Sequence, residues 1–135
     1  MKHWLIKSEP NTWSWSDQKK AKKTIWDGVR NYQARNNIKL MKKNDLCFFY
    51  HSVIEKKIMG IVSVVKEFYI DPTDDTKKFF AVDVKYKSSF FNPISLQDIK
   101  NSKKLNHLAL VKQSRLSVMP IDKNSWNLIV KMGNK

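Results

Sequence analysis

The strongest constraint on the fold is a change of hydrophobic period in the middle of the chain. Three segments there are rich in β-branched and aromatic residues and are bounded by turn-forming residues, namely Asp45–Ser52, Ile58–Val65 and Phe79–Tyr86. Runs of this length and composition predict β-strands. Two shorter runs, Trp4–Lys7 and Leu116–Pro120, predict a first and a last strand. We therefore expect a sheet at the centre of the fold.

Helices are expected between and after these strands. Either Ser14 or Ser16 can cap a first helix, and the near-helical spacing of small and apolar residues within Asn31–Met41 predicts a second. The other expected helical segments are Pro93–Ile99, Leu105–Val111 and a C-terminal helix that begins at Asp122. With 135 residues the chain is predicted to form one α+β domain, in which a curved, mostly antiparallel sheet is flanked by short helices.

The charge of the chain favours polyanionic partners. Lys and Arg number 26 against 12 Asp and Glu, which gives a formal net charge of +14. Such an excess attracts nucleic acid over long range. It is also typical of a lysine-rich, highly soluble protein, because paired lysines are spread along the whole sequence. Charge alone leaves both interpretations open.

Several kinds of site have little support in the sequence. Cys47 is the single cysteine, and His3, His51 and His107 lie far apart, so neither a disulfide nor a zinc site is expected. The three glycines are isolated, which disfavours a phosphate-cradling loop. We predict no metal and no cofactor. No apolar run approaches the roughly 18 residues of a membrane helix, so we expect a cytoplasmic protein, associated with the nucleoid if the source is bacterial.

One pattern points to catalysis. Asp71 is followed by Asp83 and Lys85, with the last two on one predicted strand. Metal-dependent nucleases use two carboxylates to hold Mg²⁺ and a lysine to position the attacking water. Residues two apart on a strand share a face, as a solvated surface would also show. A nuclease therefore remains an alternative, although we expect a protein that is not an enzyme.

A different pattern points to recognition of a base. A base outside a duplex is recognised by stacking on an aromatic ring while polar groups contact its edge. Suitable residues stand at predicted strand ends and in the segment "TIWDGVRNYQARNN", namely Ser8, Glu9, Trp26, Asn31, Tyr50, His51 and Ser52. Each also has an ordinary interpretation, with Trp26 in the core, Asn31 as a helix cap and Tyr50 on a half-buried strand. The base-pocket hypothesis depends on the fold bringing them together.

Five segments extend this pattern over nearly the whole chain. They are "HWLIKSEPNTWSW" (His3 to Trp15), "TIWDGVRNYQARNNIKLMKKNDLCFFYHS" (Thr24 to Ser52), "MGIVSVVKEFYIDPT" (Met59 to Thr73), "FAVDVKY" (Phe80 to Tyr86) and "SRLSVMPI" (Ser114 to Ile121). In this order they resemble the successive motifs of the EVE domain family, which is part of the PUA-like superfamily.

The resemblance implies a single EVE domain over residues 1–135, with a PUA-like β-pseudobarrel and peripheral helices. It implies a reader of modified bases, such as methylated or hydroxymethylated cytosine in DNA, without catalysis. By motif match the base pocket falls to Lys7, Ser8, Glu9, Trp26, Gly28, Val29, Asn31, Tyr50, His51 and Ser52. The arginines expected at phosphates are Arg30, Arg35 and Arg115.

The expected partners follow from the same resemblance. They are DNA with modified bases or, as the alternative for a PUA-type module, RNA. A membrane is not expected. The chain is predicted to act as a monomer, and any enzymatic effector would act in trans as a separate protein.

Overall fold

The computed structural model describes residues 1–135 and contains six strands and five helices. The strands are β1 (His3–Ser8), β2 (Lys23–Trp26), β3 (Leu46–His51), β4 (Lys57–Ile70), β5 (Phe80–Ser95) and β6 (Val118–Ile121). The helices are α1 (Trp15–Ala21), α2 (Tyr32–Leu40), α3 (Leu96–Asn101), α4 (Ala109–Lys112) and α5 (Lys123–Gly133). None of the helices is long and apolar enough to span a membrane.

All six strands form one open sheet in the order β2-β5-β4-β3-β1-β6. The pairing is antiparallel throughout except between β1 and β3, which run parallel. The N-terminal strand therefore lies inside the sheet, between β3 and the C-terminal β6. Its central residues Trp4, Leu5 and Ile6 are buried. The predicted α+β class with a mostly antiparallel sheet is confirmed.

The sheet curves because its two longest strands are irregular. The pairing of β4 with β5 shifts register at four places, and β3 and β4 shift once, next to Phe49 and Tyr50. Register shifts of this kind bend a strand and increase its twist. Gly60 of β4 also lets a helix approach, since a Cβ there would clash with Cζ2 of Trp15. The indole of Trp15 thus packs directly on the sheet.

Three helix starts predicted from polar caps are confirmed. Ser14 caps α1 in a reciprocal capping box with Asp17, Asn31 caps α2, and Asp122 caps α5. In each case the side-chain oxygen accepts a hydrogen bond from the backbone N–H three residues later. The start at Ser16 is wrong, because the chain is already helical at Trp15.

One strand was not predicted, and one predicted helix start is misplaced. The sequence pattern did not predict β2, a four-residue strand that exists through its antiparallel pairing with Val82–Lys85 of β5. The segment Pro93–Ser95 continues β5 instead of starting a helix, and α3 begins only after its cap Ser95. Pro93 is compatible with the strand because β2 pairs only with an earlier part of β5, which leaves this part at an edge.

Candidate functional site

An open cavity of about 660 Å³ lies where the C-terminal end of β1 meets the segment that leaves β2. Seven residues predicted for the base pocket or for phosphates line it, namely Lys7, Ser8, Glu9, Trp26, Gly28, Val29 and Arg30. Its size falls in the usual range of small-ligand sites, roughly 300–1,000 Å³. The two sequence motifs that flank α1 therefore meet at one concave surface.

Trp26 closes one side of the cavity. Its side chain is 7% exposed and meets Phe49 edge-on, with the ring centroids 5.5 Å apart. Its indole N–H has no hydrogen-bond partner in the protein, yet no buried side-chain donor is left unpaired, so this N–H edge reaches solvent. The ring is thus anchored in the core and forms part of the cavity wall.

The loop after Trp26 is fixed by a distant carboxylate. Oδ2 of Asp71, which is fully buried, accepts hydrogen bonds from the backbone N–H of Gly28 at 2.7 Å and from Nη1 of Arg30 at 3.0 Å. Oδ1 of the same group accepts from the backbone and the hydroxyl of Thr73. Gly28 has φ +79°, a left-handed conformation that glycine adopts without strain. The cavity wall is therefore set by a tertiary contact.

The pKa values of two neighbouring carboxyl groups, Asp71 and Asp27, are shifted in opposite directions. Burial alone would raise the pKa of Asp71, but the hydrogen bonds from Thr73, Gly28 and Arg30 outweigh it and hold this pKa below its usual value. Asp27, at the rim, has a raised pKa because of partial burial and then because of the nearby Asp71 carboxylate. Asp27 thus retains a proton more readily than an ordinary aspartate.

Lys7 supplies a cation to the cavity. Its Nζ donates a hydrogen bond to the carbonyl oxygen of Ser114 at 3.0 Å and lies 5.9 Å from the ring centroid of Tyr50. Burial lowers the pKa of Lys7. A partly desolvated ammonium group held in place by a backbone carbonyl is a directional donor with two further N–H groups to offer.

Sequence reasoning missed part of the lining. The unpredicted lining residues are Thr12, Trp13, Thr24, Ile25, Asp27 and Ser117. Trp13 matters most, because it adds a second indole whose Nε1 donates to Oε1 of Gln18 at 2.9 Å. The short repeat of tryptophans after Pro10 was the available signal, but neither tryptophan was assigned to the pocket.

Four predicted pocket residues do not line this cavity. The Oδ1 atom of Asn31 accepts the cap hydrogen bond of α2. Tyr50 is buried, which raises its pKa to about 12. Nε2 of buried His51 accepts from the backbone N–H of Trp15 at 2.9 Å, so Nδ1 carries the proton and donates to Glu55 at 3.0 Å. Ser52 donates its backbone N–H to the carbonyl of Ser8.

The three arginines predicted at phosphates have different surroundings. Arg30 is held by Asp71, by the carbonyl of Val29 and by the hydroxyl of Thr73. Arg35 lies on the outer face of α2, outside the cavity. Arg115 is exposed in the turn before β6. Of the three, only Arg30 lines the cavity.

The residues of the nuclease alternative are engaged in the protein. Asp71 is enclosed by the four donors described above. Asp83 accepts a hydrogen bond from the hydroxyl of Tyr69 and lies 3.8 Å from Nζ of Lys23. Lys85 is exposed. No group of three or more metal-binding side chains converges in the structure.

Comparison with known proteins identifies close relatives. The sequence model of the EVE domain matches residues 2–132. Human thymocyte nuclear protein 1 is 32% identical over 167 aligned residues, which cover 98% of this chain and 74% of the human protein. The crystal structure of that human protein in complex with 5-methylcytosine-containing DNA has a TM-score of 0.92 and 30% identity, covering 100% of this chain and 99% of the other.

Other solved structures share the fold. An NMR structure of a protein from Rhodopseudomonas palustris has a TM-score of 0.91 at 42% identity and covers 98% of this chain and 93% of the other. The YTH domain of the Zygosaccharomyces rouxii MRB1 protein has a TM-score of 0.61 at 14% identity, covering 99% of this chain and 85% of the other. This second likeness concerns the fold alone. The chain belongs to the EVE domain family.

Proposed function

We propose that this domain is a reader of modified bases, which takes a methylated cytosine of DNA out of its helix and holds it in the cavity beside Trp26. The cavity carries this function, because it combines two indoles, Trp13 and Trp26, with polar groups along one rim. A base outside a duplex is held by these means, by stacking and by contacts to its polar edge. The human relative was crystallised with 5-methylcytosine-containing DNA, which supports cytosine as the base.

The polar groups of the cavity suit the edge of cytosine. That edge carries an amino group, which donates, and a ring nitrogen and a carbonyl oxygen, which accept. Carboxylates are the usual protein partners of the cytosine amino group, and Asp27 and Glu9 both line the cavity. Lys7 can donate to the carbonyl oxygen. In a carboxyl group with a raised pKa, such as Asp27, one oxygen can accept from the amino group while the other donates to the ring nitrogen.

We assign direct contact with the base to the lining residues Lys7, Ser8, Glu9, Trp26, Gly28 and Val29, together with Trp13 and Asp27. The remaining predicted residues, Asn31, Tyr50, His51 and Ser52, are assigned to holding the wall in position. We further propose that the domain acts as a monomer without catalysing a reaction, and that any chemistry on the nucleic acid belongs to a separate effector protein.

The decisive experiment compares two tryptophans that are equally buried. Trp126 is 5% exposed, stacks on Phe48 with ring centroids 3.8 Å apart, and lies outside the cavity. Binding of oligonucleotides with 5-methylcytosine, cytosine or thymine at one position, as DNA and as RNA, is measured by fluorescence anisotropy for Trp26→Ala and Trp126→Ala. Both truncations are expected to cost about 3–5 kcal/mol of stability, measured by chemical denaturation.

Only Trp26→Ala is expected to lose discrimination between 5-methylcytosine and the other bases. The expected loss is about 1–3 kcal/mol of binding free energy, the usual contribution of an aromatic ring that stacks on a base. Equal discrimination by the folded fraction of both variants would refute the pocket. Equal affinity of the wild-type protein for all three DNA oligonucleotides would refute the reader function itself. A preference for RNA would favour the alternative, an RNA-binding PUA-type module.

A further inference from the structure

A continuous stripe of aromatic and cationic side chains covers the outer face of α2 and the adjoining ends of β4 and β5. Its members are Tyr32, Arg35, Lys39, Phe68, Phe79 and Phe80. The three residues from α2 share one face of the helix because they are spaced by three and four positions. The opposite face buries Ala34 and Ile38 in the core. We name this surface the α2 stripe.

The rings of the α2 stripe form two contacting pairs. Tyr32 and Phe79 have their centroids 5.1 Å apart, and Phe68 and Phe80 are also 5.1 Å apart. Tyr32 is 56% exposed and Phe68 is 39% exposed. A single exposed aromatic residue is ordinary on a protein surface. Adjoining pairs at the surface mark an interaction site more often than a solvated face.

Cations lie over these rings. The guanidinium carbon of Arg35 is 5.2 Å from the centroid of Tyr32 and 5.6 Å from that of Phe80, and Nζ of Lys39 is 6.0 Å from Phe68. Arg35 also donates to the side chain of Asn36 and to the carbonyl of Lys78. These bonds use three of its five N–H donors and fix the plane of the group. Two N–H donors of Arg35 therefore remain available.

The α2 stripe begins at the mouth of the cavity. Arg30 lines the cavity, and its guanidinium carbon is 5.4 Å from the ring centroid of Phe79. The lining of the cavity holds as many acidic as basic side chains, Glu9 and Asp27 against Lys7 and Arg30. Attraction of a polyanion must therefore come from the surface around the cavity. No member of the α2 stripe is acidic.

We propose that the α2 stripe binds the unpaired nucleotides next to the base held in the cavity. Bases stack on Tyr32, Phe68 and the outer face of Arg35, while the free donors of Arg35 and the ammonium group of Lys39 contact phosphates. Single-stranded nucleic acid is bound in this way elsewhere, by aromatic platforms interleaved with cations, and with little sequence preference. The place of the modified base within the bound strand rests on the proposed function, whereas binding of a strand by the α2 stripe does not.

The test compares the affinity of the protein for single-stranded and duplex DNA of one sequence. Affinities for a single strand with a central 5-methylcytosine, for the unmodified strand and for the blunt duplex are measured by fluorescence anisotropy. The variant is Tyr32→Ala, and Tyr32→Phe keeps the ring. Phe91→Ala is the matched control, because Phe91 is 88% exposed and outside the α2 stripe. Thermal unfolding of each variant verifies that it is folded, and Phe68→Ser is a second variant at the other ring pair.

Tyr32→Ala is expected to weaken binding of both single strands about tenfold. The ratio of modified to unmodified affinity should stay at its wild-type value, and Tyr32→Phe and Phe91→Ala should bind as wild type. Arg35→Gln should lower the slope of log K against log salt by about one. Lys104→Gln, at an exposed lysine outside both the cavity and the α2 stripe, should not do so. Unchanged affinity of both Tyr32→Ala and Phe68→Ser would overturn the inference and indicate a surface for a protein partner. Equal losses on single strand and duplex would overturn it as well.

These measurements separate the two proposals. If the wild-type protein prefers 5-methylcytosine and Tyr32→Ala binds every strand as wild type does, the reader function is supported and strand binding by the α2 stripe is refuted. If the wild-type protein lacks that preference and Tyr32→Ala still weakens binding of single strands, the reader function is refuted and strand binding by the α2 stripe is supported.

Discussion

Two carboxylates in the loop between β4 and β5 fix two different surfaces of the domain. Asp71 bonds to Gly28 and Arg30, which are more than forty positions away along the chain, and thereby sets the wall of the cavity. Asp74 bonds only within its own loop, to Thr76, Lys78 and Phe79, and thereby holds the ring of Phe79 in the α2 stripe. Asp71 thus stabilises its surface through long-range contacts, and Asp74 does so through contacts within its own loop.

Loss of either carboxylate should therefore disturb its surface to a different extent. Removing the long-range contact leaves the donors of a second segment without an acceptor, so the damage spreads from the loop to the cavity. Removing the local contact loosens one turn whose ends are also joined by the hydrogen bond from the N–H of Asp71 to the carbonyl of Phe79. The cavity should therefore depend on global stability more than the α2 stripe does.

The largest expected effect is that of Asp71→Ala. The substitution leaves the backbone N–H of Gly28 and the guanidinium of Arg30 without their acceptor, which should lower the free energy of unfolding by about 3 kcal/mol. Discrimination of 5-methylcytosine should also be lost, because the segment Gly28–Arg30 is no longer fixed. Urea denaturation and anisotropy on one preparation measure both quantities. Asp75→Ala, at an exposed acid of the same loop, is the control and should behave as wild type.

Asp74→Ala should have a smaller and more selective effect. Hydrogen bonds from Thr76, and then from Phe79 and Lys78, hold the pKa of Asp74 below its usual value, so its carboxylate organises this turn at neutral pH. Without it, binding of single strands should weaken by less than the roughly tenfold loss expected for Tyr32→Ala. The preference for 5-methylcytosine should persist. A variant that loses this preference as completely as Asp71→Ala would contradict the separation of the two surfaces.

The smallest effect is expected for Asp83→Asn. Asp83 contacts Tyr69 and Lys23, does not line the cavity and is not a member of the α2 stripe. Binding of every oligonucleotide should remain within about twofold of wild type, a difference below 0.5 kcal/mol. The same samples are incubated with Mg²⁺ and with chelator and examined by gel electrophoresis. Metal-dependent cleavage that disappears in Asp83→Asn would establish the nuclease and exclude a purely recognising domain.

Local signals explain what could be predicted of the fold. The caps Ser14, Asn31 and Asp122 act on backbone groups only three residues away, so the sequence contains both partners of each hydrogen bond. By contrast, β2 has four residues and depends on a strand some sixty positions later in the chain. Its existence is a property of the sheet, and no local pattern indicates it.

The candidate site could likewise be predicted only in part, where its residues are contiguous in sequence. Motif resemblance indicated the segment around Trp26 because its residues are contiguous, and most of them do line the cavity. The role of Asp71 as the acceptor for Gly28 and Arg30 was not visible, since the acid and its partners stand in different motifs. The residues at the end of β3 were predicted as pocket residues from their chemical type, yet Tyr50 and His51 are turned into the core. Residue type predicts what a side chain can do, and burial decides whether it is free to do it.

The position of β1 inside the sheet has a kinetic consequence. This strand pairs with β3 on one side and with β6, near the opposite end of the chain, on the other. During synthesis its buried apolar residues have no complete partner surface until almost the whole chain has left the ribosome. Pairings between residues distant in sequence also slow folding, because the loop they close must be ordered before the contact forms. Completion of the sheet around its first strand is therefore expected to come late in folding.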